Sequence, residues 1–287
     1  MDDLNDDYLY HIGLSRSMDL QGMFGDVKYV CMGGSADRAK IFAEKAAKEL
    51  GIEVPEEGLK PIGKTERTST YKVGPMLFLA HGMGMPSTEI FLNETAKLLH
   101  YAGCEDVSFI RVGTSGGYGV EAGTVVVTDE ALDGQLRPQY DLVKLGKVHS
   151  YPTKANEKLV AELMEVAASF GDKLKVVLGK TIGADGFYEH QSRLDGALNP
   201  GYSEEEKMAF LQKAYEAGAR NNEMEGPVFL SFCLRAGIPA AIVCAALLNR
   251  LEGDQIPKDA PLDKYSDDAQ SLVIEWMRKR IEASISA

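Results

Sequence analysis

Short apolar runs alternate along this chain with longer segments whose apolar residues recur every three or four positions, spacings that fit buried strands and one-sided helices respectively. KYVCM at 28–32 reads as a strand, and ADRAKIFAEKAAKEL after it as a helix whose first turn Ser35 caps through its hydroxyl. PMLFLAH at 75–81 is a second strand. PSTEIFLNETAKLLHYAG is a second helix, with Pro86 near its start and Gly103 at its end. VSFIRVG and TVVVTDEAL read as two further strands, separated by the glycine-rich TSGGYGVEAG. Helical spacing returns at NEKLVAELMEVAASFG and SEEEKMAFLQKAYEAG, and strands resume with KLKVVLGKTIGAD and the apolar run IPAAIVCAALL. DDAQSLVIEWMRKRIEAS closes the chain as an amphipathic helix.

Strands and helices in alternation predict a central sheet covered on both faces, a three-layer α/β/α sandwich. No repeat, low-complexity tract or Pro/Ser-rich linker divides it, so residues 1–287 read as one domain. Ligands in such folds sit at the carboxyl ends of the strands, where the glycine-rich and polar segments of this chain fall.

Each of those segments leaves two readings open. MGGSADR at 32–38 is either an ordinary tight turn or an anion loop, in which glycines let the backbone approach a ligand and Arg38 adds charge. Arg111 lies inside an apolar strand, where a guanidinium needs an anionic partner. A structural carboxylate would serve, as would a phosphate met also by Thr114, Ser115 and Gly116. In NNEMEGP, Glu223 and Glu225 fall on one side of an extended segment and Met224 on the other. Two carboxylates so close need donors, from ribose hydroxyls or from a structural network. FYEHQSRLDGA at 187–197 sets an amide, Gln191, and a guanidinium, Arg193, just behind the Phe187 ring, a pattern suited to a flat ligand with alternating donors and acceptors.

Composition narrows the partners. With 45% hydrophobic residues among 287 the chain can bury a substantial core, and its net charge of -12 disfavours nonspecific attraction to nucleic acid or anionic membrane. The acidic start MDDLNDDYLYHIG lacks the order of a secretion signal, and the apolar run from Ile238 has 11 residues, too few to span a bilayer. A cytoplasmic protein with no membrane segment is expected. Cys31, Cys104, Cys233 and Cys244 are widely spaced and read as reduced packing residues. The five scattered histidines form no metal motif.

In order along the chain, YHIGLSRSMDL, MGGSADR, TERTSTYKVGP, HGMGMPS, IRVGTSGG, FYEHQSRLDGA, NNEMEG and LLNRLEGDQI resemble the uridine phosphorylases of the nucleoside phosphorylase-I family over nearly the whole length. LNRLEGDQI and QSRLDGAL look most like the animal-type enzymes. The resemblance implies a partly barrel-like mixed sheet and a phosphate site from Gly34, Arg38, Arg111 and Thr114, with Arg67 reaching in from a partner subunit. It implies a ribose site of Thr114, Glu223, Met224 and Glu225, with His11 of the partner near the 5′-hydroxyl, residues 1–25 forming the arm that carries it. The implied base site comprises Ser115, Gly116, Phe187, Gln191, Arg193, Leu247 and Arg250. Arg111, Gln191 and Arg193 would act on the reaction itself.

That reaction is reversible phosphorolysis of uridine to uracil and ribose 1-phosphate, with no cofactor or metal and inorganic phosphate as co-substrate. Asn249 and Arg250 stand where purine-specific relatives carry an Asp, which favours a pyrimidine. Thr68 replaces a Glu that helps bacterial relatives hold a monovalent cation, and Gly33 and Ala36 replace prolines of their phosphate loop. A homodimer sharing His11 and Arg67 is expected. A hydrolase of the same fold and a noncatalytic uridine binder are the competing readings.

Overall fold

The computed structural model describes residues 6–285; the first five residues of the expected 1–25 arm lie outside them. A hairpin, β1 (Tyr8–Leu9) with β2 (Leu14–Ser15), and a short helix, α1 (Leu20–Phe24), precede β3 (Tyr29–Gly33) and α2 (Ala36–Leu50). Next come the antiparallel pair β4 (Thr70–Val73) and β5 (Met76–Ala80), then α3 (Met85–Tyr101), β6 (Ser108–Gly117) and β7 (Val125–Leu132). A second hairpin, β8 (Gln139–Lys144) with β9 (Lys147–Pro152), leads to α4 (Glu157–Phe170) and β10 (Val176–Gly183). The chain ends with α5 (Glu204–Glu216), β11 (Ala219–Glu223), α6 (Gly226–Ala236), β12 (Ala240–Asn249) and α7 (Leu262–Ile285).

Eight strands form one mixed sheet in the order β11-β10-β7-β12-β6-β3-β5-β4. The last residues of β6 pair a second time, antiparallel, with β11, Gly116 opposite Asn222 and Gly117 opposite Asn221. That pairing closes β11, β10, β7, β12 and β6 into a five-stranded barrel, while β3, β5 and β4 continue as open sheet. Glycine permits the closure. A Cβ on Gly116 would stand 2.5 Å from Arg250 Cδ, and one on Gly117 would stand 2.8 Å from the Leu248 carbonyl oxygen. The TSGG expected to be loop is therefore the second half of β6, which departs from the sequence reading because backbone pairing, not side-chain alternation, sustains it.

Helices α2, α4 and α7 pack together in one layer, α3 and α6 in another, and α5 lies against β11. Ser35 caps α2 as expected, Asn156 caps α4, and Ser203 with Glu206 forms a reciprocal capping box on α5. Trp276 of α7 is buried edge-on against Tyr29 at 5.4 Å and donates through Nε1 to Glu162 at 2.9 Å. All four cysteines are free, with Cys31, Cys233 and Cys244 buried. Among the described residues no helix is long and apolar enough to cross a membrane.

Candidate active site

A cavity of about 470 Å³ opens beyond the ends of β3, β6, β11 and β12. At one end it is lined by Gly34 and Arg38 of the β3–α2 turn and by Arg111, Gly113 and Thr114 of β6. Ser35 accepts from the Arg38 backbone N–H at 3.4 Å, fixing the first turn of a 15-residue helix beside exposed Arg38. A Cβ on Gly34 would stand 3.0 Å from the Gly82 carbonyl oxygen, so a bare backbone suits this approach. Helix N–H groups and a guanidinium together favour an anion there.

Arg111 is 3% exposed, and its partners in the folded chain are carboxylates. Its Nη2 pairs with Glu223 Oε2 at 3.0 Å and donates to Glu225 Oε2, while Nη1 lies 3.0 Å from Cys244 Sγ. Gly113 clears the space, since a Cβ there would stand 2.8 Å from Arg111 Nη1. Burial opposes the Arg111 charge, but the two carboxylates outweigh it and raise its pKa. Burial also pushes the Glu223 carboxyl upward, towards its neutral form, against the pull of Arg111. Glu225 goes the other way. Burial acts upward on it, yet Arg111 and the Gly84 N–H, which donates to Oε1 at 2.6 Å, hold it low. Burial and Arg111 thus pull the two carboxyls in opposite directions, Glu223 towards the neutral form and Glu225 towards the charged one.

The opposite end of the cavity is built to donate. A turn of 3₁₀ helix at Glu189–Gln191 and a left-handed Ser192 (φ 56°) bring buried Gln191 and Arg193 into the lining. Asp195 grips Arg193 with two bonds, from Nε at 2.9 Å and Nη2 at 2.7 Å, and this contact first of all holds the Asp195 pKa down to about 2. The guanidinium stacks 4.6 Å from the centre of the Phe187 ring, which stays 45% exposed. Arg250 is 1% exposed and donates from Nε to Asp254 Oδ1 at 2.9 Å. Its Nη1 and Nη2 lie buried without a hydrogen-bond partner of ordinary geometry, as do both amide atoms of Asn222. Unsatisfied buried groups cost about 1–3 kcal/mol each, and these four atoms, though their residues line the cavity, are themselves closed off from solvent.

Residues 28–280 match the family model described as the phosphorylase superfamily. The chain belongs to that superfamily. Its relatives include uridine phosphorylase 2 of Homo sapiens, 44% identical over 98% of this chain and 89% of that protein. Inactive uridine phosphorylase B of Schistosoma mansoni is 43% identical over 89% of this chain and 86% of its own. The fold superposes on a crystal structure of uridine phosphorylase from Schistosoma mansoni in complex with thymidine, with a TM-score of 0.92 and 43% identity, covering 98% of this chain and 96% of that one. The mixed sheet with its closed barrel is that of the nucleoside phosphorylase-I fold, and the resemblance to animal uridine phosphorylases holds over nearly the full length.

Within this superfamily member, one cavity gathers Gly34, Arg38, Arg111, Thr114, Ser115, Gly116, Phe187, Gln191, Arg193, Glu223, Met224, Glu225, Leu247 and Arg250. Ser115 is already engaged, donating to the Ala245 carbonyl at 3.2 Å and accepting from Asn221 Nδ2 at 2.9 Å. Arg67 and His11 do not line the cavity; Arg67 is exposed, and His11 Nδ1 lies 2.6 Å from Glu94 Oε1. Sequence reasoning missed Asn222, Asp254 and Gln255. The doubled Asn before EMEG and the acidic residue four positions after Arg250 were the available signals. Among the described residues no group of three or more His, Cys, Asp or Glu could hold a metal ion.

Proposed function

We propose that this chain is a uridine phosphorylase, catalysing reversible phosphorolysis of uridine to uracil and α-D-ribose 1-phosphate. One observation carries the reading: an anion end with Arg38, Arg111 and Thr114 and a donor-rich end with Gln191, Arg193 and Arg250 share one cavity, with Glu225 and Met224 in its lining. A relative named inactive is about as similar as the human uridine phosphorylase 2, so overall identity does not decide activity and the reading rests on those side chains.

In the forward direction a phosphate oxygen bonds to the anomeric carbon as the C1′–N1 bond breaks, and the bonding pair leaves with the ring. Positive charge grows on the sugar, where phosphate stabilises it. Negative charge grows on uracil, where Gln191, Arg193 and Arg250 donate to the carbonyls, and the base then takes up a proton. Glu225 accepts from the ribose hydroxyls, with Glu223 close behind, and Met224 packs on the sugar. Charge-assisted contacts of this kind contribute about 1.5–3 kcal/mol each. Neither a covalent nucleophile nor a cofactor is required. His11 and Arg67 are assigned to the neighbouring subunit's site in a cytoplasmic homodimer.

Deoxyuridine and thymidine are proposed as further substrates. The Schistosoma relative holds thymidine, and Leu247, Leu248 and Ile256 in this cavity supply apolar surface for a 5-methyl group. A methyl group alters discrimination by only about 1–3 kcal/mol. Incubation with uridine, with and without phosphate, tests the assignment. Uracil is expected only with phosphate, matched by ribose 1-phosphate. Equal uracil release without phosphate would make the chain a hydrolase, and tight uridine binding without turnover would make it a noncatalytic binder.

A further inference from the structure

The donor-rich end is held by charges that do not all reach the cavity. Lys207 on α5 is absent from the lining, yet it is 7% exposed and its Nζ lies 2.5 Å from Asp254 Oδ2. The other oxygen of Asp254 takes the Arg250 Nε bond at 2.9 Å, and its backbone carbonyl accepts from Arg193 Nη2 at 3.2 Å. Next along the chain, Gln255 donates from Nε2 to Asp195 Oδ2 at 3.0 Å, the oxygen that also receives Arg193 Nη2 at 2.7 Å. Asp254 and Gln255 therefore fasten both base-end arginines. Helix α5 supplies the anchor, since its capping box at Ser203 and Glu206 fixes the backbone just before Lys207, and Tyr202 Oη donates to the Arg193 carbonyl at 2.8 Å.

We propose that Lys207, Asp254 and Gln255 are positioning residues that set Arg193 and Arg250 for the departure of the base, with Lys207 supplying the counter-charge to Asp254. This rests on the phosphorolysis reading above. Lys207, Arg193 and Arg250 are three cations against two carboxylates, Asp195 and Asp254, leaving one net positive charge opposite the single negative charge that the base carries away. Without Lys207 the balance falls to zero. Asp254 then has Arg250 as its one charged partner and draws that guanidinium away from the ligand.

Lys207→Met and Lys207→Arg, assayed with uridine and 5-fluorouridine and by calorimetric titration with uracil, test this. For Lys207→Met, kcat with uridine and uracil affinity are each expected to fall by about tenfold or more. The loss of kcat should be clearly smaller with 5-fluorouridine, whose ring leaves as a weaker base, and Lys207→Arg should restore most of the activity. Values for Lys207→Met within about twofold of the unaltered chain, or equal losses with both nucleosides, overturn the proposal. Should Lys207→Met fail to fold, Gln255→Leu provides the same comparison, and an unchanged ratio between the two nucleosides there also overturns it. Uracil binding without phosphate consumption by the unaltered chain would remove the phosphorolysis reading alone, while the fall in uracil affinity would still bear on the positioning role.

Discussion

His81 follows β5 with no exposed surface, its Nδ1 3.1 Å from the Thr88 hydroxyl and its Nε2 without a partner. Burial first, then the Arg111 charge, holds its pKa down to about 4 from 6.5. Below its ordinary pKa the unfolded chain binds this proton and the folded chain does not. The His81 contribution is therefore intact at neutral pH and is lost as pH falls from about 6.5 to about 4. At about pH 5 the loss relative to about pH 7.5 comes to roughly 2 kcal/mol, and His81→Gln should abolish that share of the pH dependence. Urea titrations of both chains at the two pH values measure it; equal losses in both would place the titrating group elsewhere. The same neighbourhood shows what the sequence could not carry at this scale. The EMEG spacing placed two carboxylates close together, but their partner Arg111 lies 114 residues before Glu225 and meets it only through the pairing of β6 with β11.

Gly183, the last residue of β10, meets the start of α6 at a distance that leaves no room for a side chain. A Cβ there would stand 1.9 Å from Cδ of Pro227, a ring that cannot rotate aside. Gly183→Ala is expected to destabilise the fold by about 1–3 kcal/mol, the usual cost of overpacking. Gly134→Ala, where nothing lies within 4 Å, should change it by less than about 0.5 kcal/mol. Denaturant midpoints of the two variants provide the comparison, and equal midpoints would mean that the joint yields freely. Helix α6 itself escaped the sequence reading. Its Gly-Pro start imitates a turn, and GPVFLSFCLRA is apolar on nearly every side because it is buried between α3 and the barrel strands, so helical spacing leaves little trace. Strand β11, ARNNE, was legible only as an extended segment at its end, for the opposite reason: its buried side chains are polar, Asn221 and Glu223 meeting polar partners and Asn222 meeting none. The longer helices and the central parallel strands were legible because each has one face, or two, committed to the core.

At the scale of the whole molecule, the alternation of strand and helix sufficed for the layered α/β class, whereas the barrel rested on resemblance, since its closure depends on two residue pairs at the end of β6. The proposed dimer makes a prediction of its own at this scale. His11 is fixed by Glu94, which accepts from the backbone N–H groups of His11 and Ile12, each at 2.9 Å, and lies 2.6 Å from the His11 ring nitrogen, yet this ring and exposed Arg67 stand outside the cavity of their own chain. If Arg67 serves a neighbouring site, Arg67→Ala should raise the phosphate requirement of the homo-oligomer at least about tenfold, the loss expected for one charge-assisted contact. The deciding experiment mixes Arg67→Ala with a second inactive variant, Gln191→Leu, after joint unfolding and refolding. In a heterodimer, the Arg67→Ala subunit keeps an intact base end and receives Arg67 from its partner, while the other site lacks both. Random pairing places half the molecules in heterodimers with one complete site each, so roughly a quarter of the unaltered activity should return. Activity that stays at the sum of the two variants would assign Arg67 to its own chain, or to no site at all.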